Sequence, residues 1–501
     1  MEWSRYNRLF RSERFGPFLY NALSNTLLEL DEAHYRALED VRERGGASAP
    51  DEGAGPPVGV AAPGAEAAAD PDFLALLREN KVLVEAGEEQ RILLARHYER
   101  QARCFDSSHL GLTVCPTLKC NFRCPYCFEH DQRDGATMSP QTIDRLIAFI
   151  QRHREARRLS LGWYGGEPTL AWGVIEDFTA KVEALDIDFE GAGLVTNGYL
   201  LSAERIARLN DLRIRSIQIT LDGPPEMHDS RRVLAGGGPT YARILENVAA
   251  LMASDYEGRC AIRVNLDKHN LEGFLELRAE LLARFEGKKL SVYAGHVDAG
   301  LARSYDHDCG LDIDDWAALS FDLYRRGGHV PRGGFYPAAN LHGVCVATSH
   351  NGFVVGPRGE LYKCWEDVGK PAMVIGDVHE EDPITDPELR ALYALGTDPY
   401  DDLECLACTV LPICGGGCAN RRLRAKHFGE DGLTYCSPYK DHLTAYLEEY
   451  YDIYLNRALL GVGLSPDHAA EIARGYRMVH PQKRCAAEEP HPLADSIGQE
   501  R

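Results

Sequence analysis

The chain has 501 residues, 44% hydrophobic and 26% charged, with a formal net charge of −21. That length exceeds one compact core and points to several domains, while the acidic balance leaves no basic stripe to neutralise phosphates, so nucleic acid is not an expected partner. No apolar stretch approaches the roughly 20 residues of a spanning helix, and Met1-Glu2-Trp3-Ser4-Arg5 leads into no apolar run, so neither a membrane nor secretion is expected and the cytoplasm is the default compartment.

The N-terminal region begins with a strand-like stretch, Phe18-Leu19-Tyr20, then turn residues Asn21, Ser24 and Asn25, then Leu27 to Leu30. Asp31 fits the N-cap of a helix whose apolar side is Tyr35, Leu38 and Val41. Residues 44–70 are rich in Ala, Gly and Pro and hold almost no large apolar side chains, so they are expected to form a flexible insertion. A helix from Asp72 to Glu79 and a strand Val82-Leu83-Val84 follow. This order predicts a small winged-helix-like domain over 1–95.

Over 108–310 strands and helices alternate. Strand-like runs are Leu112 to Val114, Leu159 to Trp163, Leu194 to Thr196, Ile214 to Leu221, Ala261 to Leu266 and Leu290 to Tyr293. Between the first two, Ser139 as N-cap and Pro140 at N1 open a helix with a stripe of Ile143, Leu146, Ile147 and Ile150. Six such β/α units predict an α/β fold with a parallel sheet rolled into a partial (β/α)6 TIM-like barrel, whose site lies in the βα loops. Residues 340–440 are loop-rich and need some staple other than a core. Helices are expected over 441–478 and a disordered tail over 479–501.

Fifteen cysteines are the anomaly. Disulfides are disfavoured in the cytoplasm, so clustered cysteines read first as metal or catalytic sites. Cys120-x3-Cys124-x2-Cys127 puts three thiolates in the loop after the first barrel strand. Three soft ligands hold three irons of a [4Fe–4S] cubane and leave the fourth open. The alternative is a zinc knuckle completed by His130. Cys345 and Cys364, then Cys405, Cys408, Cys414 and Cys418, then Cys436, make a second constellation; Cys405 to Cys418 alone also suits a zinc ribbon.

The first spacing, with aromatic residues Tyr126 and Phe128 flanking the last cysteine, resembles the signature of the radical S-adenosylmethionine (SAM) superfamily. Further segments resemble that family in order: Tyr164-Gly165-Gly166-Glu167-Pro168 after the second strand, Thr196-Asn197-Gly198 after the third, and Asp222-Gly223-Pro224 with His228-Asp229-Ser230-Arg231-Arg232 after the fourth. The resemblance implies that Cys120, Cys124 and Cys127 hold the catalytic cluster. It implies that Gly165, Gly166, Glu167 and Pro168 meet the SAM amino group. Thr196, Asn197, Asp222, Tyr126 and Phe128 would add to the cofactor site, and Arg232, or failing it Arg231, would pair with the SAM carboxylate. A reductant such as flavodoxin or ferredoxin would supply an electron that splits SAM into methionine and a 5′-deoxyadenosyl radical, which takes a hydrogen atom from substrate.

The second constellation resembles the SPASM domain, a C-terminal iron–sulfur extension of some of these enzymes. By that resemblance Cys345, Cys364 and Cys418 hold one auxiliary [4Fe–4S] cluster and Cys405, Cys408, Cys414 and Cys436 another, three clusters in all. The first auxiliary cluster is one ligand short, leaving an open iron or a ligand from elsewhere, with Cys309 the nearest candidate. The N-terminal domain resembles the recognition element of peptide-modifying enzymes, which grips a precursor's leader by strand addition. The resemblance therefore implies a maturase of a ribosomally made precursor peptide, forming a cross-link and favouring a thioether. The runner-up is a sulfatase-maturase-like oxidase of Cys or Ser. That family's pattern has an Asp base directly after the second SPASM cysteine; Trp365 stands there, with Glu366 or Asp367 as substitutes.

Overall fold

The computed structural model describes residues 1–45, 70–129, 132, 135–297, 310–338, 345–459 and 475–479. The expected flexible insertion and tail fall almost wholly outside these residues, as do His130, Cys309 and Cys485.

Three antiparallel strands, β2 (Asn7–Ser12), β3 (Gly16–Asn21) and β4 (Thr26–Leu30), follow the short β1 (Glu2–Trp3) and precede α1 (Glu32–Gly45). Asp31 caps α1 by accepting from the His34 backbone N–H at 2.9 Å. Next come α2 (Pro71–Glu79), β5 (Leu83–Val84), which pairs with β1, and α3 (Glu88–Cys104). Strand alternation splits the sheet into two faces. Leu19, Leu28 and Leu30 pack on Leu38 of α1 and Phe73 and Leu77 of α2. Phe18, Tyr20 and Leu27 pack on the other side.

The central body alternates β6 (His109–Val114), α4 (Pro140–Arg152), β7 (Arg158–Trp163), α5 (Trp172–Glu183), β8 (Asp188–Thr196), β9 (Ile214–Thr220), α6 (Tyr241–Ala253), β10 (Arg259–Leu266), α7 (Leu271–Arg284), β11 (Leu290–His296) and α8 (Ile313–Gly327). All six strands are parallel and ordered sequentially from β6 to β11. The sheet is the expected partial barrel, because β6 pairs with β12 (Gly352–Val355) rather than β11. From there β13 (Glu360–Tyr362) and β14 (Gly376–Asp377) extend it antiparallel. That extension draws the second cysteine region against the mouth of the barrel. Ser139 caps α4 as expected, accepting from Thr142 N–H at 3.1 Å. The buried stripe is Ile143, Leu146, Phe149 and Ile150, while Ile147 is only partly covered. Each of these side chains contributes about 1.5–3 kcal/mol by leaving water.

The last elements are α9 (Tyr439–Leu459) and β15 (Tyr476–Val479). Helices were the expectation through 478, but Tyr476–Val479 is a strand paired antiparallel with β4, where tertiary pairing outweighs local propensity. Helix α9 covers the second face of the N-terminal sheet through Leu443, Leu447, Tyr451 and Tyr454. Its Glu449 is fully buried on the side-chain level and accepts from Arg14, after β2, at 3.0 Å and from Arg325 Nε, on α8, at 2.8 Å. One carboxylate thus ties the N-terminal sheet to the barrel. Glu449→Ala is expected to cost about 2 kcal/mol, since both guanidiniums are part-exposed and recover some hydration. Urea unfolding followed by tryptophan fluorescence measures this.

Candidate active site

The loop after β6 carries Cys120, Cys124 and Cys127, and three other βα segments hold it in place. Gly166 N–H donates to Thr117 O at 3.2 Å and Glu167 N–H to Lys119 O at 2.9 Å. Asn197 Nδ2, after β8, donates to Asn121 Oδ1 at 2.7 Å. Beyond Arg232, Ala235 N–H donates to Asn121 O at 2.7 Å and Arg123 N–H to Val233 O at 2.9 Å. The four motifs read in the sequence therefore meet in space, and Asn121, which the sequence reading passed over, joins two of them to the cysteine loop.

They open into a cavity of about 290 Å³. Cys120, Cys124 and Cys127 face it, as do Tyr126, Phe128, Gly165, Gly166, Glu167, Thr196, Asn197 and Arg232. Pro168, Asp222 and Arg231 do not. Asp222 is fully buried behind Tyr126, accepting from the Tyr126 hydroxyl and from Asn265 N–H at 3.1 Å, so its place is support rather than cofactor contact. Arg232 donates to the Tyr126 hydroxyl at 2.7 Å, whereas Arg231 turns away to Asp267 at 2.7 Å. Of the two arginines, Arg232 is the one aimed inward. The Glu167 carboxylate takes Thr169 N–H at 3.0 Å and the Thr196 hydroxyl at 2.6 Å on one oxygen and Asn197 N–H at 2.7 Å on the other. Only the second oxygen keeps a lone pair to spare.

Burial and the nearby Glu167 charge push the Cys120 thiol up to about 12. A site that disfavours bare thiolates gains most from a cation that deprotonates them, as iron does. Among the described residues no three His, Cys, Asp or Glu side chains converge on a single metal ion. A cubane is larger than one ion and takes one thiolate per iron, so three cysteines facing a shared cavity fit that group.

Cys345, Cys364 and Cys418, together with Cys436, line the same cavity. Their charges act on one another: Cys418 raises Cys364, and Cys345 contributes to raising Cys418, which burial pushes up to about 11. Cys405 and Cys414 both raise Cys436, which lines the cavity, and Cys408 and Cys436 both act on Lys440. Gly417, at φ +73°, lets the Tyr435–Cys436 segment pass close by, because a Cβ there would overlap Tyr435 O. Arg422, almost fully buried, donates to Cys405 Sγ at 2.9 Å and to Asp402 at 2.8 Å. Nothing in the linear spacing marks that residue, yet a donor on a thiolate is a main lever on cluster potential.

Glu366 faces the cavity, but Asp367 does not. Asp367 is fully buried, accepts from the Tyr393 hydroxyl and from Asn420 Nδ2 at 2.9 Å, and so braces the fold rather than offering itself as a base. Burial holds its carboxyl above the usual range.

Residues 114–281 match the model described as the radical SAM superfamily. That stretch, about a third of the chain, holds the cysteine loop and the three motifs around the cavity, so residues 114–281 form a radical SAM domain and the protein is an enzyme. Among curated relatives, a serine-type anaerobic sulfatase-maturating enzyme of Bacteroides thetaiotaomicron is 21% identical over 378 residues, covering 66% of this chain and 88% of the relative. The mycofactocin maturase MftC of Mycobacterium ulcerans is 32% identical over 171 residues, 34% of this chain and 43% of the relative. Among solved structures, native anSMEcpe with bound AdoMet and Cp18Cys peptide superposes with a TM-score of 0.54 at 19% identity, covering 70% of this chain and 99% of that one, which shows a shared fold. Among the described residues no helix is long and apolar enough to cross a membrane.

Proposed function

We propose that this enzyme matures a ribosomally made precursor peptide, closing a cross-link, in the first instance a thioether, on a core residue. The observation that carries this reading is the single cavity lined both by Cys120, Cys124 and Cys127 and by Cys345, Cys364 and Cys418. A peptide between them meets both the site of hydrogen abstraction and a second redox centre. The names of the relatives, a sulfatase-maturating enzyme and a peptide maturase, support a peptide or protein substrate.

When bound, SAM and its cluster supply a 5′-deoxyadenosyl radical, which removes one hydrogen atom from the substrate carbon. The chain's own residues do the rest. Gly165 and Gly166 admit close backbone approach to the cofactor, Arg232 pairs with its carboxylate, and the remaining oxygen of Glu167 takes its ammonium. Glu366 accepts the proton of the attacking thiol as the carbon–sulfur bond forms. Cys345, Cys364 and Cys418 would hold an auxiliary cluster, which would supply an acceptor for the surplus electron. A reductant such as flavodoxin or ferredoxin would supply the electron to the cluster that Cys120, Cys124 and Cys127 would hold. Conversion of Glu366→Gln is expected to keep 5′-deoxyadenosine formation within about twofold while cross-linked product falls about a hundredfold; parallel chromatographic and mass measurements test it.

A second reading, oxidation of a Cys or Ser side chain to an aldehyde, is favoured by the sulfatase-maturating relative. Trp365 at the position after Cys364 stands against it. The deciding experiment is coexpression with a short Cys-containing peptide encoded beside the gene. A product short of two hydrogens, with its thiol consumed and no reaction with an aminooxy probe, supports the cross-link. An aldehyde captured by that probe selects the second reading. Unmodified peptide despite deoxyadenosine formation rejects both for that substrate.

A further inference from the structure

The outer edge of β4 is covered by the chain's own residues Tyr476–Val479, about 450 positions away in sequence, in the register Tyr476 to Leu30, Arg477 to Glu29, Met478 to Leu28 and Val479 to Leu27. Among the described residues β15 is terminal in the sheet order and pairs on its β4 side. Gly475 begins it at φ +84°, with its carbonyl accepting from Asp31 N–H at 2.7 Å. The side chains alternate between two environments, as strand-addition ligands do. Tyr476 sits against Phe73 at 4.8 Å between ring centroids and against His34 at 5.3 Å, on the α1–α2 face. Arg477 turns to the other face, donating to Glu29 and to the Tyr451 hydroxyl at 2.6 Å. Val479 is buried in the same α9 cluster, and Met478 is only partly covered.

We infer that the β4 edge is a peptide-strand site and that residues 475–479 occupy it as an internal stand-in for a substrate's leader. An incoming peptide must displace this strand. It is selected for the same pattern: an aromatic residue for the Phe73–His34 pocket, a cation for Glu29, a tolerant position, and an aliphatic residue for the α9 cluster. The inference rests on the maturase reading for the identity of that incoming peptide. The strand site and its competition are physical properties of the N-terminal sheet, and they are tested without the radical chemistry.

The probe is a fluorescein-labelled peptide with the sequence of residues 471–484. It is titrated by anisotropy against the full chain and against a chain ending at Ala470. A tethered competitor acts at an effective concentration far above that of a free peptide, so the shortened chain is expected to bind the probe at least about tenfold more tightly. A probe carrying Arg477→Glu, which sets a carboxylate against Glu29, should lose at least about tenfold of that binding. Equal affinity for both chains, or no binding to a shortened chain that still melts cooperatively, overturns the inference. Should the shortened chain not fold, amide exchange of the full chain decides. Amides of Tyr476–Val479 exchanging at least about tenfold faster than those of β3 support a displaceable strand, and equal protection overturns it. Deoxyadenosine formation, measured on both chains, reports separately on the radical SAM chemistry, so failure of one claim is not mistaken for failure of the other.

Discussion

Replacing Cys120, Cys124 and Cys127 together with Ala is expected to bring 5′-deoxyadenosine formation to the level of a protein-free control while most of the iron stays. If each thiol set holds a cubane, reconstituted protein carries about twelve irons and the variant about eight. The reason is that the first set and the later cysteines are carried by different stretches of chain. The β6 loop is bonded to the ends of β7 and β8 and to the segment after Arg232, whereas Cys345 to Cys436 come from chain beyond the barrel strands. Loss of one set leaves the ligands of the others where they are. Iron falling to near zero in the variant would mean that the sets are not independent. About four irons plus zinc in the parent protein would refute the auxiliary assignment.

Gly166→Ala should be nearly as damaging, though it removes no ligand. A Cβ at Gly166 would lie 2.5 Å from Leu118 O and closer still to Lys119 O. Both are backbone atoms of the cysteine loop, so no side-chain rotation relieves the overlap and the loop itself has to move. A displacement on the order of 1 Å costs about a hundredfold in a reaction that depends on position. Deoxyadenosine formation is expected to fall at least that far, with iron content reduced by no more than the one cluster. Activity within about twofold of the parent would show that the loop is not packed against the β7 end as described.

The cysteine sets, the GGE turn and Arg232 were legible because their chemistry lies in short runs with fixed spacing. The partial barrel was legible because six apolar strands alternate with amphipathic helices. Strand β8 was seen only at its end, Leu194 to Thr196, since Gly191, Ala192 and Gly193 carry no strand signature. Helix α3 carries no clear signal in the sequence because its apolar residues include the exposed Leu94 and Tyr98 and form no strong stripe. Strand β15 could not be read at all: four residues, one of them Arg477, become a strand only by pairing with β4. The same limit applies within the site. Asp222 and Asp367 have the right chemistry at the right spacing, yet burial behind Tyr126 and beneath Tyr393 makes them supports. Arg422 reaches Cys405 across 17 residues of chain, a contact set by tertiary packing.

The claim on which the account turns is that Cys120, Cys124 and Cys127 hold an iron–sulfur cluster with one iron open to SAM. Electron paramagnetic resonance of anaerobically reconstituted, dithionite-reduced protein, recorded with and without SAM, tests it most directly. The account predicts a reduced-cluster signal whose g-values shift on adding SAM, and no such shift in the triple Cys→Ala variant. A spectrum indifferent to SAM in the parent protein, or the same shift in the variant, would contradict it.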